Sequence, residues 1–260
     1  MSSKTRRVCA AIAVAGLAVL TAACGGDGDD GPEAGGGANG GAGSLEGLSA
    51  QEVSDRAQEA LLSVESMRMA TVGEAGIGGT TLDLHLDLAG SCEGSVGVPG
   101  TGSVEILMRG EEVWMKPDAE FWRTGLGTTD PAAIEILDGR WLYGDTTDPE
   151  LADMVGVCAL EDFLSGVSED SDEPEELTLG EATEHNGVPA VTLEGNGPEG
   201  AMTMLVATEG EPYPLLIAGE SEGVTTEVEL SAFNEPVEFE EPPAAHILDV
   251  SDFRAGDLAA

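Results

Sequence analysis

The stretch GESEG at Gly219–Gly223 fits the G-x-S-x-G pattern in which a serine on a sharp strand-to-helix elbow attacks a carbonyl carbon. Glu240 and His246 follow Ser221 in an order that a hydrolase triad allows. The elbow requires a helix after the turn, whereas TTEVELSAF follows here with strand-like alternation, so the stretch predicts a hairpin turn and no nucleophile is assigned. His85 and His185 have no nucleophile near them in sequence, and His185 lies in EHNGV, where Asn186-Gly187 signals a hairpin turn and a solvated side chain. With 50 aspartates and glutamates, close carboxylate pairs arise by chance and give no specific support to acid–base catalysis. DGDDG opens like a calcium loop but runs on into glycines, with no glutamate at the last loop position. There is no phosphate loop or dinucleotide fingerprint. These residues predict a chain that is not an enzyme, with no catalytic residues, no metal ligands and no cofactor.

Cysteine offers chemistry of another kind. Lys4, Arg6 and Arg7 precede an uncharged apolar run from Val8 to Leu20, and Ala22 and Ala23 lead directly into Cys24. A positive n-region, a short apolar h-region and small residues at the cleavage position define a secretory signal over residues 1–23. The apolar run has 13 residues. A spanning helix needs about 20. LTAAC resembles the lipobox of bacterial lipoproteins, whose cysteine receives a diacylglycerol and becomes the first mature residue; Thr21 stands where that pattern usually has leucine. The alternative is an ordinary secreted chain in which Cys24 is lost or free. Arg6-Arg7 also invites a twin-arginine reading, but Cys9 and Ala10 stand where that signal prefers Phe and Leu, which favours general secretion. The lipobox resemblance implies a chain held through Cys24 at the extracytoplasmic face of the plasma membrane. Cys9 leaves with the signal, so Cys92 and Cys158 remain to pair as a disulfide in an oxidising compartment.

Half of the residues from 25 to 44 are glycine, several others are acidic, and almost none is apolar. Such a segment cannot bury enough surface to offset chain entropy, so residues 24–44 are expected to be a lipidated cysteine followed by a flexible tether. Its average reach is roughly 25 Å. Removing residues 1–23 leaves 7 of the 10 basic residues against 50 acidic ones, a formal charge of −43. That surface repels nucleic acid and anionic headgroups, which excludes the usual electrostatic route to either. Residues 45–253 are long enough for one sizeable domain, and residues 254–260 read as a tail.

Within that domain, Ser49 and Glu52 form a capping box ahead of a helix over residues 50–64. The period then changes from 3.6 to 2. In TLDLHLDLAG, Leu82, Leu84, Leu86 and Leu88 face one way and Asp83, His85 and Asp87 the other. Further strands are expected at Met67–Val72, Ser103–Arg109, Glu112–Lys116, Ala190–Leu193, Ala201–Thr208, Leu215–Gly219, Thr225–Leu230 and Val237–Phe239. Helices are expected at Asp130–Leu137 and Cys158–Val167, and SEDSDEPEE is an acidic linker or loop. Strand and helix do not alternate as a doubly wound sheet requires. The fold class is α+β: a large curved antiparallel sheet, a half-barrel, with a few helices covering its concave face.

Gly90 to Thr124, GSCEGSVGVPGTGSVEILMRGEEVWMKPDAEFWRT, resembles actinobacterial LppX/LprG-type lipoproteins in its glycine-rich strand pair, apolar strand, Lys-Pro-Asp turn and Phe-Trp. VATEGEPYPLLIAGE and LSAFNEPVEFEEPP resemble the end of the same family. The resemblance spans about residues 45–253 and implies a LolA-like half-barrel around an apolar cavity, with acylated lipid or glycolipid carried through the envelope. It names no cargo and no envelope protein partner. Met67, Met69, Met108, Met115, Met202 and Met204 all fall in expected strands, and with Leu82, Leu84 and Leu86 they are the candidate cavity lining; adaptable methionines suit variable apolar ligands but also fill ordinary cores. Trp114, Trp122 and Trp141 read as buried anchors first and cavity-mouth residues second. Two functions stay open: a tethered lipid carrier, and a non-catalytic surface interaction or sensory module whose core is filled.

Overall fold

The computed structural model describes residues 45–73, 76–169, 176–197, 200–221 and 224–255. The signal, Cys24, the tether, most of SEDSDEPEE and residues 256–260 lie outside the described residues.

The expected capping box starts the first helix. The Ser49 hydroxyl accepts from the Glu52 N–H at 3.3 Å, and the Glu52 carboxylate accepts from the Ser49 N–H at 2.8 Å. Helix α1 (Ala50–Leu62) buries Val53, Ala57, Ala60 and Leu61, the stripe that its period requires. Strands β1 (Ser66–Val72), β2 (Thr81–Asp87), β3 (Ser91–Val98), β4 (Gly102–Arg109) and β5 (Glu112–Pro117) form a first antiparallel meander. An excursion follows through α2 (Ala119–Thr124), α3 (Pro131–Leu137), β6 (Trp141–Asp145), α4 (Pro149–Val155), a 3-10 turn at Gly156–Cys158 and α5 (Leu160–Glu169). The second meander is β7 (Leu177–His185), β8 (Val188–Gly197), β9 (Gly200–Ala207), β10 (Pro214–Ser221) and β11 (Val224–Ser231); β12 (Ile247–Asp249) and α6 (Val250–Ala255) complete the chain.

Because β11 pairs with β1, the two meanders join into one twelve-stranded sheet in the order β12-β6-β5-β4-β3-β2-β1-β11-β10-β9-β8-β7. It is curved and does not close, and every pairing is antiparallel except β12 with β6. The expected α+β half-barrel is the observed fold. Its main core lies between one face of the sheet, the inner face, and the helices: Met67, Leu84, Ile106, Met115 and Leu142 pack with Trp122, Leu137, Leu151, Leu160 and Leu164. Helix α1 bridges to a second cluster, where Val53 and Ala57 meet Leu193 and Val206.

Several boundaries differ from the sequence reading. Leu88 does not continue the strand alternation. The Asp87 carboxylate accepts from the N–H groups of Ala89 and Ser91, at 2.9 and 2.7 Å, which turns the chain and leaves Leu88 52% exposed. Val237–Phe239 is not a strand. Prolines flank it, and it is fixed instead by its side chains: Phe239 packs edge-on against Trp114 under the Arg109 guanidinium. The helix expected at Cys158–Val167 is divided into the 3-10 turn and α5. Strands β3, β6, β7 and β12 and helices α2, α4 and α6 were not among the elements expected from periodicity.

Candidate functional site

Register shows how the inner face is built. Leu142, Met115, Ile106, Gly94, Leu84, Met69 and Leu230 are successive cross-strand partners from β6 to β11. Apart from Gly94, which has no side chain, all are buried, and the helices cover them. Gly94 is obligatory in this row: its φ is 146°, and a Cβ would come within 1.9 Å of the Asp83 carbonyl oxygen. Cys92, two residues from Gly94 on the same face, is joined to Cys158 by a disulfide with Cα atoms 5.7 Å apart, which ties the segment between α4 and α5 to the middle of the sheet.

The next row has a different character. Leu82 pairs beside Thr71, whose hydroxyl accepts from the Leu82 N–H at 3.0 Å, and the row continues through Val228, Ile217, Met204, Leu193 and Leu179. Leu82, Val228, Ile217 and Met204 are only half-buried, and Leu179 is 42% exposed. Phe163 and Val167, four residues apart on α5, are also half-buried and join the main core. Ile77, between β1 and β2, and Val224, the first residue of β11, are 48% and 53% exposed. The apolar inner face therefore continues past its helical cover as a strip carrying no charge.

The structure places Met67, Met69, Leu84, Leu86, Met108 and Met115 together in the main core, buried, with Leu82 at its margin. Met204 belongs to the second cluster, and Met202 is half-buried on the same face. Val228, Ile217, Phe163 and Val167 escaped the sequence reading. The β11 alternation could have given Val228, but only the pairing of β11 with β1 places it in one row with Leu82, across Thr71.

At GESEG, β10 runs to Ser221, which pairs with Val224 at the start of β11, so strand and not helix follows; Glu222 and Gly223 lie outside the described residues. Asn186 and Gly187 both have positive φ, 50° and 85°, as a two-residue hairpin turn demands. His185 beside them is more than a solvated turn residue, since its Nε2 lies 3.4 Å from the Glu229 carboxylate and its side chain is 20% exposed. Of the tryptophans, Trp114 and Trp122 are buried, and Trp141 is half-buried under the Lys116 ammonium, 5.0 Å from the ring centre. Asp118 of the Lys-Pro-Asp turn caps α2. Burial opposes its ionisation, but the Phe121 N–H and the Ser103 hydroxyl and N–H outweigh that and hold its carboxyl below the usual range.

The outer face combines charged residues with an aromatic group of Trp114, Tyr143 and Phe239. A groove of about 300 Å³ crosses β1 to β6 and is lined by Arg68, Asp83, His85, Glu93, Glu105 and Trp141. A second, of about 490 Å³, lies between Arg109 and Val237–Glu240. Among the described residues no three metal-ligating side chains converge, and no helix is long and apolar enough to cross a membrane.

No family model matches the chain, and comparison with curated proteins returns no relative. Among solved structures it is similar to LprF from Mycobacterium bovis, with a TM-score of 0.48 and 12% identity over 75% of this chain and 97% of that one. Lipoprotein LppX from Mycobacterium tuberculosis gives a TM-score of 0.45 and 13% identity over 74% and 98%. A LolA superfamily protein from Nitrosomonas europaea gives 0.23 and 12% over 76% and 96%. The first two are of the type that Gly90–Thr124 resembles.

Proposed function

We propose that the chain is a membrane-tethered extracytoplasmic lipoprotein that binds the acyl chains of a lipid or glycolipid noncovalently and carries them through the cell envelope, with Cys24 as its anchor and no covalent chemistry of its own. The observation that carries this reading is the strip from Leu82 through Val228 and Ile217 to Met204. It is uncharged, apolar except where Thr71 crosses it with its hydroxyl bonded to the Leu82 N–H, continuous with the core, and incompletely covered. An acyl chain laid along it would gain about 0.8 kcal/mol per buried methylene. The signal, the lipobox and the family resemblance support the same reading.

The full burial of Met67, Leu84, Leu86 and Met115 favours the second reading at those positions, a module with a filled core. Ile217 separates the two. An aspartate there would place a charge where an acyl methylene should lie, and at a half-buried site the fold can tolerate it. Binding of a fluorescent fatty acyl probe should fall at least about tenfold in Ile217→Asp, with the circular dichroism of the wild type retained. Equal binding by the folded variant and the wild type, or no binding by either, would leave the filled-core module ahead.

A further inference from the structure

The outer groove has no part in the lipid reading, since a whole sheet separates it from the apolar strip. Register assembles it: His85 on β2 pairs with Arg68 on β1 and Glu93 on β3, and Ser95 on β3 pairs with Asp83 on β2 and Glu105 on β4. Two ion pairs hold its walls. Arg68 donates from Nε and Nη2 to both Asp83 oxygens, at 2.8 and 2.7 Å, and Lys116 contacts Glu105 at 2.6 Å while covering one face of Trp141. Arg68 and Lys116 are thereby matched by Asp83 and Glu105, and Glu93 leaves the groove with a surplus of negative charge. Phosphate and sulfate groups do not suit it.

The floor has an unmet requirement. His85 Nε2 is buried and has no hydrogen-bond partner. A neutral imidazole nitrogen is a donor or an acceptor according to tautomer. An alcohol hydroxyl serves either form. Glu93 accepts from hydroxyls, Ser95 both donates and accepts, and the half-buried Trp141 offers an indole edge and face to C–H groups. A volume of about 300 Å³ is at the small end of ligand pockets.

We infer that this groove is a second binding site, which takes a ring of a neutral saccharide, with its hydroxyls on Glu93, Ser95 and His85 and its C–H face toward Trp141. A cationic group could meet Glu93, but it would leave the His85 and Ser95 positions unused.

The test is an NMR titration of the full chain, following the His85 ring and Trp141 indole signals. The probes are maltotriose, mannotriose and galactotriose, with inorganic phosphate and arginine amide as charged controls. At least one trisaccharide should shift both signals saturably at millimolar concentrations. Glu93→Gln and Ser95→Ala should each weaken that binding about fivefold, while the signal of Trp122, in the core on the other side of the sheet, stays unmoved. His85→Gln, which keeps a hydrogen-bonding side chain, should retain more binding than His85→Phe. Saturable binding of arginine amide alone would overturn the inference and make the groove a cation site. So would the absence of saturable shifts with every trisaccharide, or binding unaffected by Glu93→Gln and Ser95→Ala. No lipid enters this experiment, so its result is independent of the carrier reading.

Discussion

Replacing Cys92 and Cys158 together by alanine opens a covalent loop that spans 66 residues and includes β4, β5, α2, α3, β6 and α4. The chain-entropy cost removed from the unfolded state by a crosslink of that length is about 15 cal/mol/K, or about 4 kcal/mol at 25 °C. Both cysteines are essentially inaccessible to solvent, so the double variant also leaves a small void in the main core, which acts in the same direction. For a domain of this size the loss corresponds to a fall in melting temperature of about 10 °C. Urea unfolding of the wild type and the double variant measures it, because a shift in midpoint at constant slope reports stability alone. The disulfide fixes the segment between α4 and α5, so hydrogen exchange in Pro149–Val155 and Leu160–Glu169 should accelerate more than in β9 and β10. A loss below about 1 kcal/mol, or free thiols in the unreduced wild type, would show that the crosslink does not stabilise the fold in this way.

Asp118→Ala removes the cap of α2 and its bonds to Ser103, and should cost about 1–2 kcal/mol near neutral pH by urea unfolding. Since the Asp118 carboxyl is held below its unfolded value, its contribution is fully present above the unfolded pKa and is lost as pH falls through the folded one, so the gap between wild type and variant should narrow on acidification. Leu84→Trp at a fully buried position should overpack the core and cost about 1–3 kcal/mol; thermal unfolding checks this, and a neutral result would indicate unoccupied space beside Leu84. Cys24→Ala should move the protein from the membrane fraction to the medium in a fractionation immunoblot, since the proposed diacylglycerol is its anchor.

What could be read from the sequence depended on how strongly each element is amphipathic. Helix α1 announces itself by Ser49, Glu52 and a regular apolar stripe, and β2 by Leu82, Leu84 and Leu86 alternating with Asp83 and His85. Strand β7 has mostly exposed residues along its length, because it is the end of the sheet and packs little on either face, so no alternation marks it. Strand β3 carries Gly94 and Gly97 where a strand usually shows bulky residues, and was visible only within the glycine-rich pair of the family resemblance. Helix α2 owes its start to the Asp118 cap, and α2, α4 and α6, at six or seven residues each, are too short to show a period. At the site, composition located the buried methionines and leucines of the inner face. The half-buried strip and the groove are products of register: Val228 is aligned with Leu82 across Thr71, and Glu93 is set beside His85, only through pairings between strands that a single-strand pattern does not encode.

Native mass spectrometry of the chain purified from its own host, in mild detergent and without added lipid, tests the carrier reading most directly. The expected result is a bound species whose extra mass matches an acylated lipid or glycolipid, recovered on organic extraction and reduced in Ile217→Asp. A wild-type chain that carries only its covalent modification, and that releases no lipid on extraction, would contradict it.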